Sequence, residues 1–365
     1  MRLAPWPSNT LALYQARLFG LRILGFAFVL IGLLQVLDLL TVSEDILSVE
    51  GNGNAELMRY LTLRLPQLAD TFLPFSVLLG ALVTWSSLNQ SSEITVMRGA
   101  GMSPHAILMP MMVTAVVVAA LHFWFSETIL PETNRELDAW QQADYGPFDP
   151  EAPDRRSDVW QIGDTDVLFA EEVAGDGADT VLSGVEVYTK DGGRLEAQIT
   201  AASARPVAGG WQLSDARRFD VARGAMVDVG APVVGAGIDP QRYEIILPDP
   251  DEVNAAELRA SIRELEAAGV ATDGLKTSLY QKYVKPLSAI LMPLLGAVAG
   301  FGLARSGQLF MRTVIGLALG FAYFVADNAM LAMGEFGATP PILAAWGPFL
   351  LFFLVGEALI FRTEE

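Results

Sequence analysis

The residues able to do chemistry in this 365-residue chain are few and scattered. It holds two histidines, His105 and His122, and no cysteine. Without a thiol there is no Cys nucleophile, no disulfide framework and no Cys-based zinc or iron–sulfur site. Neither histidine belongs to an HExxH pattern or has a second ligand cluster nearby, so each reads as a packing or capping residue and no metal is expected. An ATP-binding P-loop needs a lysine directly after glycine to reach the phosphates. The four lysines, Lys190, Lys276, Lys282 and Lys285, do not follow glycine. Ser86-Ser87 and Ser91-Ser92 lack the G-x-S-x-G setting of a nucleophilic serine. Asp70 and Asp327 lie inside apolar stretches and are the pair an intramembrane hydrolase would need. The main expectation is a non-catalytic chain that binds no cofactor; a membrane-embedded hydrolase is the alternative.

The elements that must position these residues follow from composition. Hydrophobic residues make up 52% of the chain and charged residues 18%, with mean hydropathy +0.37, against about 45–50% and about 25% in ordinary globular domains. The net charge of −18 is uneven: residues 127–275 hold 30 of the 42 acidic and 12 of the 24 basic residues, and the rest nets zero. An acidic insert of this kind repels nucleic-acid phosphates. Around it lie six stretches near the roughly 20 apolar residues a membrane helix requires: Ile23–Leu40, Leu65–Leu88, His105–Phe125, Lys285–Ala304, Val314–Met333 and Pro341–Phe361. The first competes with a cleavable signal peptide, but it lacks a small-residue cleavage site and Gln35 and Asp38 interrupt its end, so it is kept as a span. With the amino terminus inside, Arg2, Arg17, Arg22, Arg98, Arg305, Arg312 and Arg362 all fall on the cytoplasmic side. The insert then lies outside and both termini inside.

The expected fold is an α-helical integral membrane protein of six transmembrane helices, three plus three, with an inserted antiparallel β-jellyroll. Residues 1–130 carry spans one to three, 131–250 the sheet domain, 251–275 an amphipathic linking helix and 276–365 spans four to six. Short β-rich runs at Val159–Ile162, Val167–Ala170, Val181–Tyr188 and Leu195–Ile199 are punctuated by Gly163-Asp164, Asp176-Gly177, Asp191-Gly192-Gly193 and Gly209-Gly210. They indicate a sandwich or jelly roll, either an open apolar interior for a lipid chain or a spacer holding neighbours. In the linking helix, Asn254 and Glu257 have capping-box spacing, Leu258, Ile262 and Leu265 form one stripe, and Gly269 ends it. Such a helix suits a membrane surface.

The loop between spans two and three, residues 89–103, is the most informative local feature. Ser92 is placed to cap a short helix exposing Ile94, Val96 and Met97, with Glu93 at its positive end and Gly101 terminating it. Such a helix suits docking in another protein's groove; an ordinary interfacial turn is the alternative. The segment "SSEITVMRGAGMS" resembles the signature of the LptF/LptG family of lipopolysaccharide-export permeases. "DVWQIGDTDVLFAEEV", "NAAELRASIRELEAAG" and "RTVIGLALGFAYFVADN" are similar to further family segments. The pre-span helix and "GATPPILAAWGP" look closer to the LptG branch than to the LptF branch.

The resemblance implies an inner-membrane permease subunit paired with a paralogous LptF-like chain and driven by an LptB-like ATPase dimer, which alone uses ATP and Mg. The complex would extract lipopolysaccharide and pass it to an LptC-like bridge protein. Residues 89–103 would form the coupling helix, with Glu93 pairing a basic residue of the ATPase, beside Ile94, Val96, Met97 and Arg98. Spans one and five would line the gate for acyl chains through Phe26, Leu30, Leu33, Gln35 and Leu37, and Leu317, Phe321 and Phe324. Each of these also reads as lipid-facing or helix-packing surface. The phosphate-binding rim would be Arg59, Arg64, Arg135, Lys282 and Lys285, basic groups outside against the orientation rule, or else groups snorkelling to bulk head groups. Family members often carry a lysine late in span one where this chain has Gln35, followed by Asp38. Asp327, inside span five, is expected to face the bundle in a structural or gating role. A different ABC-type membrane subunit, a mechanotransmitter without lipid passage, is the second functional expectation.

Overall fold

A computed structural model describes residues 8–146, 156–162, 166–174, 180–191, 194–207, 210–220, 225–234, 248–267, 270–301 and 308–364. The chain divides into two compact units, one of Met1–Phe148 with Pro248–Glu365, the other Asp149–Leu247.

The first unit is helical. Its elements are α1 (Asn9–Ser48), α2 (Asn54–Gln90), α3 (Glu93–Gly99), α4 (Pro104–Thr128) and α5 (Leu130–Gln142) before the sheet, and α6 (Ala255–Ala267), α7 (Asp273–Gly300), α8 (Gln308–Glu335) and α9 (Pro341–Glu364) after it. Among the described residues five helices are long and apolar enough to cross a membrane: α1, α2, α4, and the apolar stretches of α8 and α9. The fourth expected span lies in α7, which is not among those five. It bears Lys276, Lys282 and Lys285 in its first half, and the end expected at Ala304 lies outside the described residues.

At 28 residues α7 is about 42 Å long at 1.5 Å per residue, and it packs against α2, α4, α8 and α9. Leu291, Met292, Leu294 and Leu295 on α7 are fully buried, which makes it the central helix of the unit. It is also tied by polar contacts. Trp85 Nε1 donates to the Pro293 carbonyl at 3.1 Å and Asn89 Nδ2 to the Gly300 carbonyl at 2.5 Å. Where hydrophobic exclusion no longer drives association, small residues let helices approach closely. A Cβ on Gly320 of α8 would stand 2.3 Å from Leu78 Cδ2 of α2.

The second unit is one antiparallel sheet: β1 (Arg156–Ile162), β2 (Asp166–Ala174), β3 (Val181–Asp191), β4 (Arg194–Val207), β5 (Gly210–Ser214), β6 (Ala216–Asp220), β7 (Ala225–Gly230) and β8 (Val233–Val234). The strand order is β1-β2-β3-β4-β5-β8, while β6 pairs with both β4 and β7. Period-two alternation puts Val185 and Val187, Ile199 and Ala201, and Trp211 and Leu213 into one core. The turn residues Gly163-Asp164, Asp176-Gly177, Gly192-Gly193 and Gly209 lie outside the described residues.

In α6 the Asn254 side chain accepts from the Ala256 and Glu257 amides at 3.0 and 2.9 Å. Leu258, Ile262 and Leu265 are buried, the first two in one cluster with Leu279 of α7. The apolar stripe therefore meets the start of α7 and is not free to lie on a membrane surface. Gly269 lies outside the described residues.

Candidate functional site

The short helix α3 hangs between α2 and α4. The turn leading into it has only Ser91 and Ser92 to reverse the chain, and Ser92 takes a left-handed conformation (φ 60°, ψ 12°). That backbone does not aim Oγ at the helix amides, so Ser92 makes no side-chain cap, contrary to the sequence expectation. Ser91 Oγ lies 2.8 Å from Glu93 Oε1, and Tyr14 Oη of α1 donates to the same oxygen at 3.2 Å. At the other end the Met102 amide donates to Met97 O and the Gly101 amide to Arg98 O. With Gly101 at φ +85°, this is a Schellman closure.

The exposure expected for α3 needs correction. Ile94 and Met97, one turn apart, are 4% and 6% exposed and belong to the same core as Trp85, Leu88, Ile107 and Phe301. Gln15 Nε2 of α1 approaches Met97 Sδ at 3.6 Å. Val96, in contrast, is 69% exposed, with Thr95 and Arg98 beside it and Glu93 half-buried. The helix is thus keyed into the bundle on one side, where the Arg98 guanidinium also donates to the Phe301 carbonyl at 3.4 Å, and presents the Val96 isopropyl group on the other, with the Glu93 carboxylate at its edge.

Most of the expected basic rim is already engaged. Arg59 donates to Glu136 at 2.7 Å and lies 4.8 Å from the Trp140 ring centroid. Arg64 makes a forked contact with Asp38 at 3.1 and 3.2 Å, and Tyr60 Oη donates to Asp38 at 2.6 Å. Asp38 therefore neutralises Arg64. Lys285 pairs with Asp70. Arg135 is exposed and spends one NH2 on the Glu252 carbonyl at 3.0 Å. Among the described residues Lys282 makes no hydrogen bond or ion pair.

Sequence reasoning nominated Asp70 but missed its partners. His122 Nε2 of α4 lies 2.9 Å from Asp70 Oδ1, and Lys285 of α7 reaches Oδ2. A carboxylate oxygen accepts, so Nε2–H donates to it, while among the described residues the buried Nδ1 has no hydrogen-bond partner. The signal was present in the sequence: ionisable groups at membrane depth must find one another, and these three sit in three different apolar stretches. Asp327 accepts from Gln281 Nε2 at 2.9 Å, leaving Asp327 Oδ1 and Gln281 Oε1 buried without a donor. Both acids line a cavity of about 520 Å³. Each is bound to amide, imidazole or ammonium donors.

The surface expected to meet acyl chains is apolar and open. Leu33, Leu37, Leu317 and Phe321 are exposed, Phe26 and Leu30 half-buried, and Phe324 stacks on Phe75 of α2 with centroids 3.8 Å apart. Gln35 faces inward at 7% exposure, and among the described residues neither end of its amide has a partner. Sequence reasoning passed over Phe28, which is 83% exposed on α1.

A bundle of helices long and apolar enough to cross a membrane, interrupted by an antiparallel sheet domain, is the architecture of a multi-pass membrane protein. The family described as lipopolysaccharide export system permease LptF/LptG matches residues 13–362, and the chain belongs to that family. It is 26% identical over 330 residues to the lipopolysaccharide export system permease protein LptG of Escherichia coli strain K12, covering 88% of this chain and 90% of the relative. It is 24% identical over 359 residues to the LptG of Haemophilus influenzae, covering 96% and 98%.

Proposed function

We propose that this chain is an inner-membrane permease subunit that moves lipopolysaccharide out of the inner membrane, as the names of its relatives describe for them. In this reading α7 is a sixth span, its amines facing a polar cavity and its apolar half filling the bundle centre. Both termini are cytoplasmic, and the sheet unit, read as a β-jellyroll, is periplasmic and hands lipid to an LptC-like bridge. A paralogous LptF-like chain completes the passage, and an LptB-like ATPase dimer, using ATP and Mg, docks on α3.

The observation that carries the reading is the double character of α3. Ile94 and Met97 share a core with α2, α4 and α7 residues, so a push on the exposed Val96 side of α3 moves spans rather than a loose loop. Densely packed cores transmit displacement because they are stiff. Docking then rests on Glu93, Val96 and Arg98, while Ile94 and Met97 are the inner half of the lever. The exposed rows of α1 and α8 take acyl chains, and Arg135, the exposed rim cation, meets the phosphosugar.

The test is reconstitution of the co-purified complex in liposomes with Glu93→Lys and Val96→Asp. Both variants should fold with normal melting yet retain less ATPase and release lipopolysaccharide at least about tenfold more slowly, the loss of one charge-assisted contact. Unchanged ATPase retention and release would remove α3 as the docking helix. Photocrosslinking from Leu33 or Phe321 to lipopolysaccharide separates passage from a mechanotransmitter role.

A further inference from the structure

The cavity between α2, α4, α7 and α8 has a composition that an anionic phosphosugar does not fit. Five carboxylates and two amines line it, and one of the amines, Lys285, is held by Asp70. Among the described residues, what remains is a pair of acceptors without donors and one cation with no direct partner, on which the Glu127, Asp251 and Asp70 carboxylates bear from a distance. Lys282, half-buried, makes no ion pair among the described residues, and Gln281 Oε1 and Asp327 Oδ1 are buried with no donor. Gln281 is 9% exposed and lines the cavity, so its free oxygen is a built feature of the site and not a surface accident. Buried acceptors demand donors and a partly buried ammonium demands an anion.

We propose that this cavity binds the head group of an ethanolamine phospholipid from the surrounding bilayer. The ligand that satisfies both demands is a zwitterion joining a primary ammonium to a phosphate. The ammonium, with three N–H donors, reaches Asp327 Oδ1 and Gln281 Oε1, and the phosphate meets Lys282. The bilayer is the source because the cavity has an apolar wall, Phe75 stacked on Phe324. Its lip at the exposed Asn328 lies one turn from the exposed apolar row Leu317, Phe321 and Val325 of α8, along which an acyl chain can run. A choline head group has the charge but no N–H, and a glycerol head group has hydroxyl donors but no cation for the Asp327 carboxyl, so neither supplies a charged donor. The site would hold a resident phospholipid beside the exporting surface, and it rests only on the bundle being membrane-embedded.

The experiment uses the complex purified in mild detergent and exchanged into vesicles of equal phosphatidylethanolamine, phosphatidylcholine and phosphatidylglycerol with identical chains. Lipid retained after gentle delipidation is counted by native mass spectrometry. Ethanolamine lipid should be retained about tenfold over the other two, the worth of one charge-assisted contact. Asp327→Asn should erase most of that preference, and Lys282→Met should lower retention of all three lipids, because each carries the phosphate. Equal retention of the three head groups, which simple hydration of the cavity would give, a preference for the glycerol lipid, a preference untouched by Asp327→Asn, or retention untouched by Lys282→Met overturns the proposal. Lipopolysaccharide release is measured in parallel. Loss of the ethanolamine preference with release intact defeats this inference alone; retained preference with no release defeats the export reading alone.

Discussion

Replacing Lys285 by Met removes the ammonium from a buried carboxylate without opening a large void. Asp70 is left with His122 alone, its side chain only 5% exposed. Breaking a fully buried pair costs about 3–5 kcal/mol because an uncompensated charge stays inside. The Lys285 side chain, however, is 40% exposed, so water already screens part of the interaction, and about 2 kcal/mol is the expected loss. Intrinsic fluorescence of the buried Trp85 and Trp140 during heating of the detergent-solubilised protein reads this as a lowered transition. The decisive arm is the double substitution Asp70→Asn with Lys285→Met, which removes both charges. It should recover at least about half of the loss, because coupled residues are non-additive. If Lys285→Met melts with the wild type, or the double variant melts no higher than the single one, the cluster is not a stabilising cross-link between α2, α4 and α7.

Gly320→Ala should destabilise the bundle by about 1–3 kcal/mol, since the new Cβ meets Leu78 in a core with no slack; Leu78→Ala in the same chain should relieve the clash, and an unchanged melting point would show that α2 and α8 do not approach this closely. Arg135→Glu should weaken the stimulation of ATPase by lipopolysaccharide in the reconstituted complex, and an unaltered response would take it off the rim. Burial, then Asp249 and Asp251, raises Asp138 above the usual carboxylate range, and burial, then Asp249 and Asp138, does the same to Glu252. Carboxyls raised in this way bind protons more tightly folded than unfolded, so their stabilisation is present at acid pH and lost as pH rises through the raised values. Amide exchange across residues 248–254, corrected for its intrinsic pH dependence, should accelerate over that rise, and exchange that slows instead would refute the carboxylate contact between α5 and this segment.

Several features were legible because they depend on neighbours along the chain. The capping box of Asn254 and Glu257, the alternation in β2 to β4 and the Gly101 stop after α3 each follow from local backbone chemistry. The i, i+3 spacing of Ile94 and Met97 showed that they share a face. It did not show whether that face meets a partner or the chain's own core. The rim failed for a related reason: a basic residue reads as free until its acid is found, and Arg59 finds Glu136, 77 residues away, while Arg64 finds Asp38, 26 residues away.

The amino-acid order by itself determined which stretches are apolar enough for lipid, where the charge is gathered, and that an alternating sheet interrupts the helices. These are sums over short windows, and solvent sorts them without reference to distant residues. Only the tertiary structure decided that Lys285 belongs to Asp70 across 215 positions, that α3 is half lever and half contact, and that Lys282 faces a cavity with unmatched acceptors. Those facts depend on which helices pack together, and packing is set by shape complementarity between surfaces far apart in the chain.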